Sequence, residues 1–307
     1  MTSRFLDACR RRPTDVRPVW FMRQAGRYLK QYRDIRSKFT MLEMCTRPDI
    51  ASQITLQPIE ILDVDAAIIF ADLLLPVIPM GLKLAYATGE GPIIDNPVRT
   101  TEDVDNLSTH NTDDLGYVGE AIQMTTRALN GRVPVIGFVG APFTMASYMV
   151  EGSSTRNFIH TKRLMYSDET LWRRLMGKIV DVLAPFAAQQ VATGARCIQV
   201  FDSWVGALGA DDYVRYAAPY SRALIERIRS NGVPVIHFGT GASISTRRGW
   251  ISATAPPSRG TSILSCSSLR FPNSKNVCTN FSAVPVRGPA TFLTWAMASC
   301  PKLRWIM

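Results

Sequence analysis

The sequence predicts a parallel α/β fold over residues 1–241, with a (β/α)8 barrel as its architecture. Three observations carry this expectation: short continuous apolar runs, amphipathic stretches between them, and a glycine or polar residue closing each run. Continuous apolar runs are what strands buried on both faces of a parallel sheet look like, and strand–helix alternation marks α/β proteins. Polar residues at the carboxyl ends of several runs favour a barrel. A doubly wound sheet is the alternative, but no GxGxxG motif follows the first strand, which argues against a dinucleotide site.

The first apolar run, Val19 to Met22, reads as a strand that gives way to the loop Arg23-Gln24-Ala25-Gly26-Arg27-Tyr28-Leu29. Two arginines four residues apart at such a junction suit a carboxylate-rich ligand, because guanidinium is always charged and can bind bidentately. Two solvated surface arginines are the plain alternative. Ala66 to Phe70 is the next run and ends at Asp72. Val133 to Val139 ends in Gly140-Ala141-Pro142, Arg196 to Phe201 in Asp202-Ser203, and Val233 to Phe238 in Gly239-Thr240-Gly241. Between them, Leu171 to Val191 repeats apolar residues at helical spacing and stops at Gly194. Asp211 or Asp212 can cap a helix through Tyr216, Leu224 and Ile228 to the Asn231-Gly232 break.

With 307 residues and 46% hydrophobic content, the chain can bury a full core. No apolar run approaches the roughly 18 residues that span a bilayer, and the polar start MTSRFLDACRRRP lacks a signal-peptide core. Six scattered cysteines without a CxxC pair fit a reduced, cytoplasmic protein with no disulfide framework and no metal site. The net charge of +10 raises nucleic acid or an anionic membrane as partners. Its distribution argues against both: eight of the 35 Lys+Arg and none of the 25 Asp+Glu fall after Gly241, so the body is nearly neutral.

The run PVWFMRQAGRYL closely resembles the N-terminal signature of the uroporphyrinogen decarboxylase family, whose substrate carries eight carboxylates. FADLL (70–74), GAPFT (140–144), ASYMVEG (146–152), FDSW (201–204) and PVIHFG (234–239) extend the resemblance in the family's order over residues 3 to 241. The resemblance implies a cofactor-free carboxy-lyase on a (β/α)8 barrel. It would turn uroporphyrinogen III into coproporphyrinogen III for haem or chlorophyll synthesis, as a cytoplasmic homodimer. It also implies that Arg23 and Arg27 bind substrate and take part in catalysis, with Gln24, Ala25 and Gly26 completing that binding loop. Asp72 becomes the catalytic carboxylate facing the pyrrole N–H groups, and Tyr148 and Ser203 hold the substrate's arms. The plain readings are a helix N-cap for Asp72, a core tyrosine for Tyr148 and a strand-end cap for Ser203. Arg33 and Arg36 read as rim or surface residues. None of His110, His160 and His237 reads as a catalytic base; His237, at a strand end, is either structural or a ligand contact. A corrinoid-linked methyltransferase of the same superfamily is the alternative function, although such enzymes use a His/Cys zinc set that this spacing does not offer.

Residues 242–307 follow a different grammar. They hold eleven serines, no acidic residue and no helical or alternating period, yet contain Trp250, Cys266, Phe281 and Trp295, which linkers rarely do. Read two bases further on, the codons for PSRGTSILSCSSLRFP (257–272) can encode QGNLDPVLLFAP. Those for LTWAMASCPKLRWIM (293–307) can encode NLGHGILPKTPVDN. Both shifted strings resemble late motifs of the same family, in order. The expectation is an out-of-frame tail without a native fold, an incomplete barrel, and a chain inactive as written.

Overall fold

The computed structural model describes residues 3–86, 91–110, 112–240 and the strand 263–266. Helix α1 (Arg4–Cys9) is capped by the Ser3 hydroxyl, and α2 (Lys30–Arg36), α3 (Met41–Thr46) and α4 (Pro48–Leu62) follow before the first strand. Strand β1 (Ala67–Ile68) is short, and the hairpin β2 (Leu84–Tyr86) and β3 (Pro92–Ile94) stands apart from the main sheet. After α5 (Thr101–Asn106) and α6 (Gly116–Leu129) come β4 (Val135–Gly140), α7 (Pro142–Glu151), α8 (Ile159–Ser167) and α9 (Glu169–Ala192). Then come β5 (Cys197–Asp202), α10 (Ala210–Asp212), α11 (Ala218–Arg229), β6 (Val235–Gly239) and β7 (Ile263–Cys266).

Strands β1, β4, β5, β6 and β7 form one parallel sheet in that order, with Gly140 opposite Phe201 and Phe201 opposite Phe238. Alternation along each strand divides two cores. Ala67, Ile69, Val135, Val139, Ile198, Val200 and Val235 face the helices, where Trp172, Leu175 and Ile179 of α9 close over them. Ile68, Ile136, Cys197 and Ile236 face the other way and are plugged by Phe5 and Cys9 of α1 together with Trp20. Gly137 lies on the helix side, and a Cβ there would come within 2.4 Å of Gln190 Oε1. That clearance lets the Gln190 amide reach over from α9, accepting from the Phe138 N–H and donating to its carbonyl, both at 2.9 Å.

Four predicted strands and the long helix are present with ends shifted by one or two residues. Two local expectations are corrected. Val19–Met22 is not a ladder strand among the described residues: Asp65 pins it instead, its N–H donating to the Val19 carbonyl (2.8 Å) and its carboxylate accepting from the Val19 N–H (2.7 Å). Asp211 and Asp212 lie inside α10 and cap nothing; the N-cap is Gly209. A π-turn (Tyr213–Ala217) then joins α10 to α11. It stands directly before Pro219, which has no N–H to give the carbonyl four residues back.

In the segment read as out of frame, the backbone of Ile263–Cys266 pairs in parallel with β6, Val235 opposite Ile263. That regular strand stands where the sequence reading expects none. The open edge of β6 offers unpaired N–H and carbonyl groups that any extended segment can satisfy. The remainder of residues 242–307, and with it the expected loss of native fold there, lies outside the described residues.

Candidate active site

The Arg23–Leu29 loop is held by its own backbone and by side chains the sequence reading assigned elsewhere. Gln24 is buried, its amide donating to the Ala66 carbonyl (3.1 Å) and accepting from the Phe21 N–H (3.3 Å). These two bonds hold the Gln24 side chain within the fold. The Tyr28 hydroxyl donates to the Gln24 carbonyl, and the Leu29 N–H closes a turn onto Gly26 (3.0 Å). Ala25 packs on the Leu29, Tyr32 and Ile54 cluster. Arg33 is not a free rim cation: its guanidinium donates to the carbonyls of Arg27 (2.8 Å) and Tyr28 (3.1 Å). Arg36 likewise donates to the Phe39 carbonyl (2.8 Å). Arg23 and Arg27 remain exposed at the surface of the loop.

Asp72 sits four residues beyond β1. The Phe70 N–H ahead of it donates to the Thr55 hydroxyl (2.9 Å), which itself donates to the Ala51 carbonyl (2.7 Å). The Asp72 carboxylate accepts from the Leu74 N–H (2.8 Å), but Leu74 is itself the N-cap of the 3-10 turn Leu75–Val77 and no side chain caps that turn, so the plain reading of Asp72 as a helix N-cap is not what the structure shows. Burial raises the Asp72 pKa above the usual carboxylate range, while the Leu74 N–H, the Tyr86 hydroxyl and the charge of Arg23 pull it back. The same carboxylate, after burial itself, helps push up the phenols of Tyr86 and Tyr148 and the thiol of Cys45. Asp72, Arg23, Tyr148, Tyr86 and Cys45 therefore share one electrostatic neighbourhood. Arg27 acts instead on Tyr32 of α2.

Tyr148, on α7, is 4% exposed, and its ring lies 5.5 Å from that of Trp204 at 57°. Trp204 follows Ser203 in the turn after β5, and the Ser203 carbonyl accepts from the Thr240 hydroxyl (2.6 Å). Ser203 reaches the Asp72 neighbourhood through this Trp204–Tyr148 contact. Phe138, Phe201 and Phe238 stand on three adjacent strands, with centroids 5.4 Å (Phe138–Phe201) and 6.1 Å (Phe201–Phe238) apart and both pairs edge to face. Apolar ring faces on three adjacent strands suit a flat, apolar ring system.

Comparison with known proteins decides the family. The family model described as Uroporphyrinogen decarboxylase (URO-D) matches residues 1–255, past Gly241 and into the segment read as out of frame. The chain belongs to the uroporphyrinogen decarboxylase family. It is 82% identical over 243 residues to the uroporphyrinogen decarboxylase of Solibacter usitatus, covering 79% of this chain and 70% of that one. It is 51% identical over 251 residues to that of Sorangium cellulosum, covering 81% and 72%. Among solved structures, a methyltransferase from Methanosarcina mazei aligns with TM-score 0.63 and 17% identity, covering 78% of this chain and 70% of that one. At that identity the likeness establishes the barrel fold alone.

For a uroporphyrinogen decarboxylase family member, sequence reasoning missed Tyr86, Cys45 and the three-phenylalanine wall. Tyr86 was findable: Leu84–Tyr86 and Pro92–Ile94 flank Gly89-Glu90-Gly91, a hairpin signal. Cys45 was not, since only the folded chain brings α3 within electrostatic reach of Asp72. Of the histidines, His110 is exposed, His160 lies on α8, and His237 is buried on the helix side of β6. No described helix is long and apolar enough to cross a membrane. Among the described residues no three His, Cys, Asp or Glu side chains converge as metal ligands.

Proposed function

We propose that this protein decarboxylates the four acetate arms of uroporphyrinogen III to give coproporphyrinogen III, without a cofactor. The observation that carries the reading is Asp72, a carboxylate of raised pKa between the charge of Arg23 and the phenols of Tyr86 and Tyr148. Protonation of a pyrrole ring carbon creates a cationic electron sink. The bond from the acetate CH2 to its carboxylate then breaks, its electron pair enters the ring, and CO2 leaves. A proton delivered to the exocyclic carbon and one lost from the ring carbon leave a methyl group. Each arm thus consumes one proton net and releases one CO2. Ionised Asp72 accepts hydrogen bonds from the pyrrole N–H groups and stabilises the cation as it forms. Arg23 is the proposed proton donor and, with Arg27, the anchor for arm carboxylates. Tyr148 and Ser203 hold further arms, and the Arg23–Arg27 loop backbone, Gln24 to Gly26, shapes the rim.

The proposal places the protein in the cytoplasm as a homodimer in tetrapyrrole synthesis, on the strength of its family alone. It also takes residues 242–307 as read to lack the family's NLGHG histidine, so that turnover requires the restored reading frame. Incubating the frame-corrected protein with uroporphyrinogen III and separating products by carboxylate number tests the function. Stepwise loss from eight carboxylates to four supports it, and unchanged substrate overturns it.

A further inference from the structure

Behind the Ser203–Trp204 turn lies a polar cluster that the decarboxylation mechanism does not use. Asp202, the last residue of β5, is 0% exposed and Thr144 on α7 is 0% exposed. The Thr144 hydroxyl donates to Asp202 Oδ1 (3.0 Å) and accepts from the backbone N–H of Trp204 (3.2 Å). The other carboxylate oxygen, Oδ2, faces Nε2 of His237 on β6 at 3.6 Å. Neither of those two atoms has a hydrogen-bond partner among the described residues. Tyr213, in the π-turn, completes the surround, its phenol pushed up by burial and then by the charge of Asp202.

A buried carboxylate with one hydrogen bond is a costly object, and an apolar residue of the same size would stabilise the barrel better. Its partners explain its presence. Asp202 holds Thr144, Thr144 holds the Trp204 backbone, and the Trp204 ring lies on Tyr148. His237 is the group able to fix the remaining oxygen, because a hydrogen on Nε2 points across a gap only about half an ångström longer than an ordinary bond. We propose that Asp202 and His237 are positioning residues: together they set the Ser203–Trp204 turn, and through it the Tyr148 ring, for the substrate's arms. This inference rests on the decarboxylase reading, since it assigns Tyr148 and Ser203 to those arms.

The test uses the full 307-residue chain labelled with 5-fluorotryptophan, its six resonances assigned by single Trp→Phe variants. Trp172, whose indole N–H donates to the Tyr216 carbonyl (3.0 Å), is the internal control for intact packing. Asp202→Ala and His237→Leu should each move the Trp204 resonance and leave that of Trp172 in place. Asp202→Asn keeps an acceptor for Thr144, and His237→Gln keeps a donor near Nε2; both should restore the Trp204 position. A stationary Trp204 line, or Trp204 and Trp172 moving together, overturns the proposal. In parallel, uroporphyrin, the stable oxidised octacarboxylate, is titrated by fluorescence quenching into the frame-corrected parent and its variants. The Ala and Leu variants should bind about 10-fold more weakly and the Asn and Gln variants within about 2-fold of the parent. No uroporphyrin binding by the frame-corrected parent would count against the decarboxylase reading, while the fluorine spectra would still decide the positioning role.

Discussion

The buried hydroxyl of Tyr86 lies within electrostatic reach of the Asp72 carboxylate, linking a hairpin residue to the loop after β1. It has no hydrogen bond within 3.5 Å among the described residues, yet it favours the ionised form of Asp72 against the effect of burial. Tyr86→Phe should therefore raise the Asp72 pKa further. The acid limb of the pH–rate profile, measured on frame-corrected protein, should move to higher pH with little change on the alkaline side. An unmoved acid limb would place Tyr86 outside the reacting groups.

Asp72→Asn keeps the shape and one acceptor but loses the charge that stabilises a developing cation. Turnover should fall by about 100-fold or more while uroporphyrin affinity stays within about 3-fold. A loss of affinity without a loss of turnover would make Asp72 an anchor rather than a catalytic carboxylate.

The same substitution should stabilise the free protein at neutral pH. A carboxylate whose folded pKa is raised contributes stability that is complete below its unfolded value of 3.8 and is lost as pH rises through the folded value. Asn carries no such loss. Asp72→Asn should raise Tm by roughly 2 to 4 °C at pH 7, the scale of about 1 kcal/mol in a domain this size, with the gain shrinking towards pH 4. Thermal melts of both proteins across that range give the comparison, and a constant difference would contradict the assignment.

Arg23 and Arg27 should not be equivalent. Only Arg23 acts on both Asp72 and Tyr148, whereas Arg27 acts on Tyr32. Arg23→Gln is expected to weaken uroporphyrin binding by about 10- to 100-fold, the range of a charge-assisted hydrogen bond, and Arg27→Gln by about 3-fold. Titration at two salt concentrations checks this; equal losses would restore the symmetric reading of the loop.

A one-base correction near Gly241 should convert an inactive chain into an active one, because the shifted frame restores the NLGHG string to the barrel. Assaying both versions for coproporphyrinogen tests the tail directly. Turnover by the chain as written would show that residues 242–307 as read suffice.

The local rules that a chain obeys were legible in its residues. Buried parallel strands must be continuously apolar, so Val135–Gly140, Cys197–Asp202 and Val235–Gly239 stood out, and α9 showed its helical repeat despite Pro185. The motifs around Arg23, Asp72, Tyr148 and Ser203 carried the family. The sequence could not say which side chains the fold itself consumes. Gln24 and Arg33 look like ligand groups, but their hydrogen bonds close on backbone carbonyls that only the folded loop presents. Residues far apart in the chain, such as Tyr86 and Asp72 or Thr144, Asp202 and His237, met through the packing of a hairpin, a helix and two strands. Periodicity and motif depend on neighbours in sequence, whereas hydrogen-bond partnership and electrostatic reach depend on distance in space. The backbone fixes that distance only when the whole sheet and its helices are assembled.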